Sequence, residues 1–202
     1  MSSSDRTLDL RRGALSMVVS ALLFAGMATA IKIASRSLPN TMVVFFRNAV
    51  GLVALLPWLL RLGFRNLATR HLAEHLVRGF AGLASMYCYF YALSRLRLAD
   101  AVLLNHCLPL FIPFVEKAWL REPMPRGLGR ALVLGFFGLV LILRPGSGLF
   151  QGAALIGLGA AVFAALAQVG IRRLTRTEPV TRIVFYFGAI ATAASALPLA
   201  GS

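Results

Sequence analysis

Long apolar runs recur along the whole chain, each closed by a short cluster of charged or turn-forming residues. About 20 mainly apolar residues of α-helix cross the hydrocarbon core of a bilayer. On that measure seven spans are predicted, over residues 13–35, 41–60, 76–94, 101–120, 128–143, 151–171 and 182–200, preceded by a tail over residues 1–12. The first run imitates a secretory signal, with Arg11-Arg12 before it and Ala28-Thr29-Ala30 near its end. A signal's apolar core is only ~7–15 residues long, and this run is longer and is followed by further spans. The expectation is an all-α, polytopic membrane protein.

Composition agrees: 58% of residues are hydrophobic and 14% charged, where a soluble domain carries ~25% charged residues. A water-soluble globule is thereby excluded, and disorder with it, since disorder needs low hydrophobicity together with high charge. The 21 Lys and Arg against seven Asp and Glu would suit a nucleic-acid binder if they formed one soluble patch. They fall instead in the gaps between spans, where positive charge sets orientation. Fifteen lie in the tail and the second, fourth and sixth connections, and six (Lys32, Arg36, Arg47, Arg95, Arg97, Arg144) on the other side. The N-terminus is therefore expected in the cytoplasm, with the spans in the inner membrane. Cys88 and Cys107 both fall within apolar stretches and read as small buried hydrophobes.

Shifted on itself by 139 to 140 residues, the chain matches its first two spans to its last two. Gly13-Ala14 falls on Gly152-Ala153 and Phe24-Ala25 on Phe163-Ala164; after a one-residue slip, Pro39 falls on Pro179 and Phe45 on Phe185. Five spans lie within one period. An odd number per repeat starts the second copy on the opposite membrane face, the inverted repeat of many secondary transporters. Residues 13–147 then form a first five-helix repeat and 151–202 the first two helices of a second, so that seven helices of an expected ten are present. A whole second unit would extend well beyond Ser202, which reads the chain as a fragment of a ten-span protein or a truncated product.

Residues 92–146 carry an acidic residue after the fourth span (Glu122), a fifth span with Gly135 and Gly138, and an Arg144-Pro145-Gly146 exit. Together with the repeat, they resemble the end of the first domain of EamA-type transporters of the drug/metabolite transporter superfamily. The resemblance implies ten helices in two inverted five-helix units that move small organic solutes such as amino acids, other metabolites or toxic compounds.

Polar groups inside spans are costly in lipid and read first as functional. In span four Asn105, Pro109, Pro113 and Glu116 lie within about 80° of arc, with His106 at the margin. The prolines free backbone carbonyls and can bend the helix, as in the interrupted helices of transporter sites. Asn105 and His106 equally suit hydrogen bonds between helices, and Glu116, beside Lys117, suits charge pairing or snorkelling at the interface. Tyr87, Tyr91 and Ser94 form one stripe of span three, for a cavity or for aromatic packing; Tyr89 points the other way. Lys32 and Arg47 lie toward the outer ends of spans one and two, within reach of an anionic group or of the surface. Arg47 corresponds to Phe187 in the repeat, so the fold does not require a cation there. Thr29 corresponds to Gln168, a polar pair for the site where the repeats meet. Ala153, Gly157, Ala161 and Ala165 make a close-packing face, for helices of the same chain, for a homodimer or for a partner membrane protein.

His71-Leu-Ala-Glu74-His75 has the H-x-x-E-H spacing of inverted zinc peptidases, but in a short connection with no soluble domain around it. No nucleotide-binding or serine-hydrolase motif accompanies it, so neither an enzyme nor a cofactor is expected. The function expected is a secondary transporter, an exporter of small organic solutes by alternating access. Its substrate contacts would be Thr29, Arg47, Tyr87, Tyr91, Asn105, His106 and Gln168, with Lys32, Pro109, Pro113 and Glu116 in gating or charge pairing. The alternative is a non-transporting scaffold or regulatory subunit, or an inactive fragment. The partners expected are a solute and the bilayer, and no nucleic acid.

Overall fold

The apolar runs fold as helices in a computed structural model that describes residues 3–62, 67–125, 127–143 and 152–200. Arg65, Arg126, the Arg144-Pro145-Gly146 exit and Gln151 lie outside the described residues. The helices are α1 (Ser3–Ala34), α2 (Asn40–Leu62), α3 (Leu72–Arg95), α4 (Leu98–Asn105), α5 (Leu108–Val115), α6 (Leu128–Leu143), α7 (Gly152–Leu174) and α8 (Val180–Ala200), with a π-helical turn over Glu116–Leu120. Counting α4, α5 and the π turn as one broken rod gives seven helical rods among the described residues. The tail expected before the first span is helical from Ser3.

Five segments are long and apolar enough to cross a membrane: Gly13–Ala34, Asn40–Pro57, Leu98–Leu120, Gly152–Leu174 and Val180–Leu199. The protein is a multi-pass membrane protein, with two of the seven expected spans falling short on that measure. α6 is only 16 residues long. α3 has the length, at 24 residues, but carries Glu74, His75 and Arg78 in its first two turns.

α3 and α7 form the centre. α3 packs along α7 and α8, α2 lies along α8, and α4 and α5 pack on α7. Small residues allow this closeness, because without a Cβ or a long side chain two backbones can approach. A Cβ at Gly157 would stand 3.0 Å from Leu104 and 3.2 Å from Ala92, and one at Gly79 would stand 2.8 Å from Ile190. Ala153, Gly157, Ala161 and Ala165 are all buried, so the close-packing face of α7 joins helices of the same chain. Ser85 ties the pair further by donating to the carbonyl of Ala160 at 2.9 Å. α1 instead exposes Leu15, Met17, Leu22 and Leu23, as a lipid-facing helix does.

The fourth span breaks where its prolines direct. Pro109 has no N–H to offer the carbonyl of Asn105, so the hydrogen-bond ladder is interrupted there. α4 accordingly ends at Asn105, His106 and Cys107 form a turn, and α5 begins at Leu108 with Pro109 in its first turn. There the missing N–H costs nothing.

The turns after α1 and after α7 are built alike. Ser35, Arg36, Ser37 and Leu38 donate to Ile31, Ile33, Ala34 and Ala34, and Thr175, Arg176, Thr177 and Glu178 donate to Ile171, Arg173, Leu174 and Leu174. The offset is 140 throughout, and it carries the end of α1 onto the end of α7. The register of 139 expected for the first span therefore does not hold at Thr29, which corresponds to Val169, while Gln168 corresponds to Ala28.

Candidate functional site

Where α1, α2, α3, α4, α7 and α8 converge they line an open cavity of about 300 Å³. Its polar lining is Arg47, Arg78, Ser85, Tyr89, Asn105 and Gln168; its apolar lining includes Phe24, Met27, Met86, Phe90, Ile171 and Phe187. A mainly apolar hollow with a few polar groups is the usual form of a small-molecule site. α1 contributes Phe24 and Met27, and α7 contributes Ala164 and Ala167 at the positions 140 residues on. Arg47 and Phe187 are related in the same way.

Arg78 lies six residues into α3. Its guanidinium stacks on the Phe187 ring at 3.9 Å from the centroid. Nε and Nη1 are buried and have no hydrogen-bond partner among the described residues. Gly82, one turn on, makes the stack fit: a Cβ there would come within 2.7 Å of the Phe187 ring and 3.1 Å of Arg78 Nη1. The Tyr89 hydroxyl is likewise buried without a partner. Arg47 donates to Asn48 Oδ1 at 3.1 Å and lies 3.9 Å from the Met86 sulfur. Asn48 is fixed by its own donation to the carbonyl of Val44 at 2.9 Å.

Of the residues the sequence singled out, the fold brings Arg47, Asn105 and Gln168 together on this cavity. Thr29 is exposed and bonds back to the carbonyl of Ala25 at 2.9 Å. His106 is exposed, its ring 6.0 Å from that of Phe24. Tyr87 lies off the cavity, and Tyr91 lines a separate hollow with Ser35, Leu38, Pro39, Asn40, Ser94 and Arg95. The tyrosine on the main cavity is Tyr89, the one the stripe set aside. Lys32 caps α3, donating to the carbonyls of Leu93 at 2.6 Å and Leu96 at 2.5 Å. These are orphan acceptors of a helix C-terminus, so Lys32 joins α1 to α3. Arg78 is one of the fifteen charges that the sequence assigns to the connections; its place on one helical face with Gly82, Ser85 and Tyr89, at i, i+4, i+7 and i+11, is the signal that marks it for the cavity.

Residues 11–144 match the model of the EamA-like transporter family. The chain belongs to that family. It is 38% identical over 191 residues to the pseudopaline exporter CntI of Pseudomonas aeruginosa, an alignment covering 94% of this chain and 66% of the relative. It is 31% identical over 179 residues to a riboflavin transporter of Vibrio cholerae, covering 87% and 60%. It is 28% identical over 160 residues to an S-adenosylmethionine uptake transporter of Rickettsia bellii, covering 79% and 55%. The chain thus spans about two thirds or less of the length of these relatives. No solved structure matches it. This is a family of transporters and not of enzymes.

In this EamA-family chain Glu122 is an ion-pair centre. Arg172 Nη2 lies 3.2 Å from it and Arg176 Nη2 2.7 Å. Arg172 also pairs with Glu116 of the π turn, so the partner of Glu116 is Arg172 and not the adjacent Lys117. Arg173 bonds Glu74 at 3.0 Å and faces the Trp119 ring. The H-x-x-E-H residues separate: His71 lies 3.9 Å from Glu74, whereas His75 turns inward to Glu178 at 3.4 Å and stacks on Tyr186 at 4.5 Å. Glu178 also accepts from Thr69 at 2.6 Å and from Arg182 at 3.0 Å. Burial alone would raise the Glu178 carboxyl; the Thr69, Arg182 and His75 contacts outweigh it and hold the group below the usual carboxylate range. His75 is pushed below the usual histidine range, chiefly by burial, against the pull of Glu178.

Proposed function

We propose that this chain carries the substrate cavity of a secondary transporter that exports small organic solutes across the inner membrane by alternating access. The observation that carries the reading is the cavity itself: helices from both ends of the chain line it, and Arg47, Asn105 and Gln168 face it together. Binding where two repeats meet is the arrangement of inverted-repeat transporters. Residues 13–147 would act as one repeat and α7 and α8 as part of the other, with the break at His106 and Cys107 as the hinge. Without a nucleotide-binding motif, the drive would come from solute or proton gradients. The relatives support the class of cargo, since the three described above are named for small organic molecules.

The test is substrate counterflow in proteoliposomes, screened over metabolite pools, with Gln168→Leu and Asn105→Leu beside the parent. The expected result is flux that each substitution lowers tenfold or more. Flux unaffected by both would remove the cavity from the pathway. Absence of flux, with stable capture of another membrane protein, would return the scaffold reading.

A further inference from the structure

Two guanidinium groups face one hollow of about 300 Å³, and no acidic residue among the described residues lines it. Arg47 lies seven residues into α2 and Arg78 six into α3, each about 10 Å along its helix at 1.5 Å per residue. Neither side chain forms an ion pair among the described residues, although every glutamate of the chain does. Like charges in a low-dielectric hollow repel one another, and each loses its hydration. An arrangement of that kind is relieved by an anion.

Resting on the transport reading of this cavity, we infer that its solutes carry a carboxylate, held between Arg47 and Arg78, on an apolar or aromatic body. Arg78 is prepared for the role. The Phe187 ring supports its flat face, which leaves the N–H donors around its rim for an acceptor. Two of those nitrogens, Nε and Nη1, are buried and have no partner among the described residues, as is true of the Tyr89 hydroxyl on the same lining. A carboxylate has two oxygens and four lone-pair directions to satisfy such donors. Phe24, Met27, Phe90 and Ile171 supply the apolar wall for the rest of the molecule. The Asn105 and Gln168 amides can pair neutral polar groups, and they add no charge.

The experiment is equilibrium dialysis of the full chain in phosphatidylcholine nanodiscs, where no anionic headgroup competes. Three labelled probes share one body and differ in charge: N-acetylphenylalanine (anion), N-acetylphenylalaninamide (neutral) and phenylalaninamide (cation). The acid should bind at least tenfold more tightly than either amide. Arg78→Gln and Arg47→Gln should each weaken acid binding tenfold or more and leave the neutral probe within twofold. Arg78→Lys keeps the charge without the planar fork and should fall between, a graded result that a misfolded variant would not give. Equal binding of acid and neutral probe, a preference for the cation, or an acid preference that survives both Gln substitutions would overturn the inference. Failure of the transport reading looks different: counterflow then ignores Gln168→Leu and Asn105→Leu. Flux sensitive to those two without any acid preference would keep the transporter and discard the carboxylate.

Discussion

The arginines around the central helices are treated in two opposite ways. At the end where α3 begins and α7 finishes, Arg172, Arg173, Arg176 and Arg182 use all four glutamates of the chain. In the cavity, Arg47 and Arg78 have no carboxylate among the described residues. The same side chain therefore has two settings: paired with a carboxylate, it fastens helices; on the cavity without one, it is left for the anion inferred above.

The sharpest way to break that distinction is at Glu178, whose side chain is 2% exposed. Removing one partner of a buried charge cluster leaves the others desolvated and unpaired, which costs about 3–5 kcal/mol. Glu178→Ala should therefore lower stability by about that much in a denaturant titration of the protein in bicelles. A loss below about 1 kcal/mol would place this corner with ordinary surface pairs.

Gly82→Ala tests the other region. The added methyl meets the Phe187 ring and Arg78, so one of them must shift. Overpacking of a filled site costs about 1–3 kcal/mol, and displacing the guanidinium should also weaken acid binding in the dialysis assay. Stability lost with acid binding intact would mean that the stack on Phe187 does not set the position of Arg78.

Much of this was legible in the sequence, for identifiable reasons. Hydropathy located the helices, because lipid requires every spanning backbone group to bond within its own helix, and Pro109 announced the break before α5. The site was legible only in part. Arg47, Asn105 and Gln168 reach the cavity, but Thr29 was paired with Gln168 through a register of 139, and one residue turns a helix by about 100°. Tyr87 and Tyr91 were favoured over Tyr89 because a stripe shows which residues share a face and not which neighbour that face meets. Arg78 was hidden by its own charge. Near the end of a span a cation reads as an orientation signal, and only the packing of Phe187 against Gly82 shows that it turns inward.

A pH series sharpens the comparison with a smaller effect. His75 has its folded pKa below the unfolded value of ~6.5, so the unfolded chain binds the proton more readily. The stability it contributes is fully present above ~6.5 and is lost as pH falls through the folded value. Glu178 acts in the same direction in a lower window, below the usual carboxylate range. Arg182, Arg78 and the Thr69 hydroxyl bear on the same corner. The protection of amides in the first turn of α3, taken as the exchange rate relative to the intrinsic base-catalysed rate at each pH, should therefore fall between pH 7.5 and pH 5.5, and His75→Gln should remove most of that change. Protection that stays constant over the interval would mean that the imidazole protonates without cost, against its burial.

Arg172 supplies the smallest effect and completes the contrast. Its side chain is 51% exposed although it contacts both Glu116 and Glu122. Water competes for all three groups, salt screens them, and ordering a long side chain opposes the Coulomb gain, so such exposed pairs contribute little. Arg172→Ala should accordingly change stability far less than Glu178→Ala does in the same titration, and less still in high salt. A loss approaching that of the buried corner would mean that burial does not separate the paired arginines. The contrast would then rest on the presence of a partner alone.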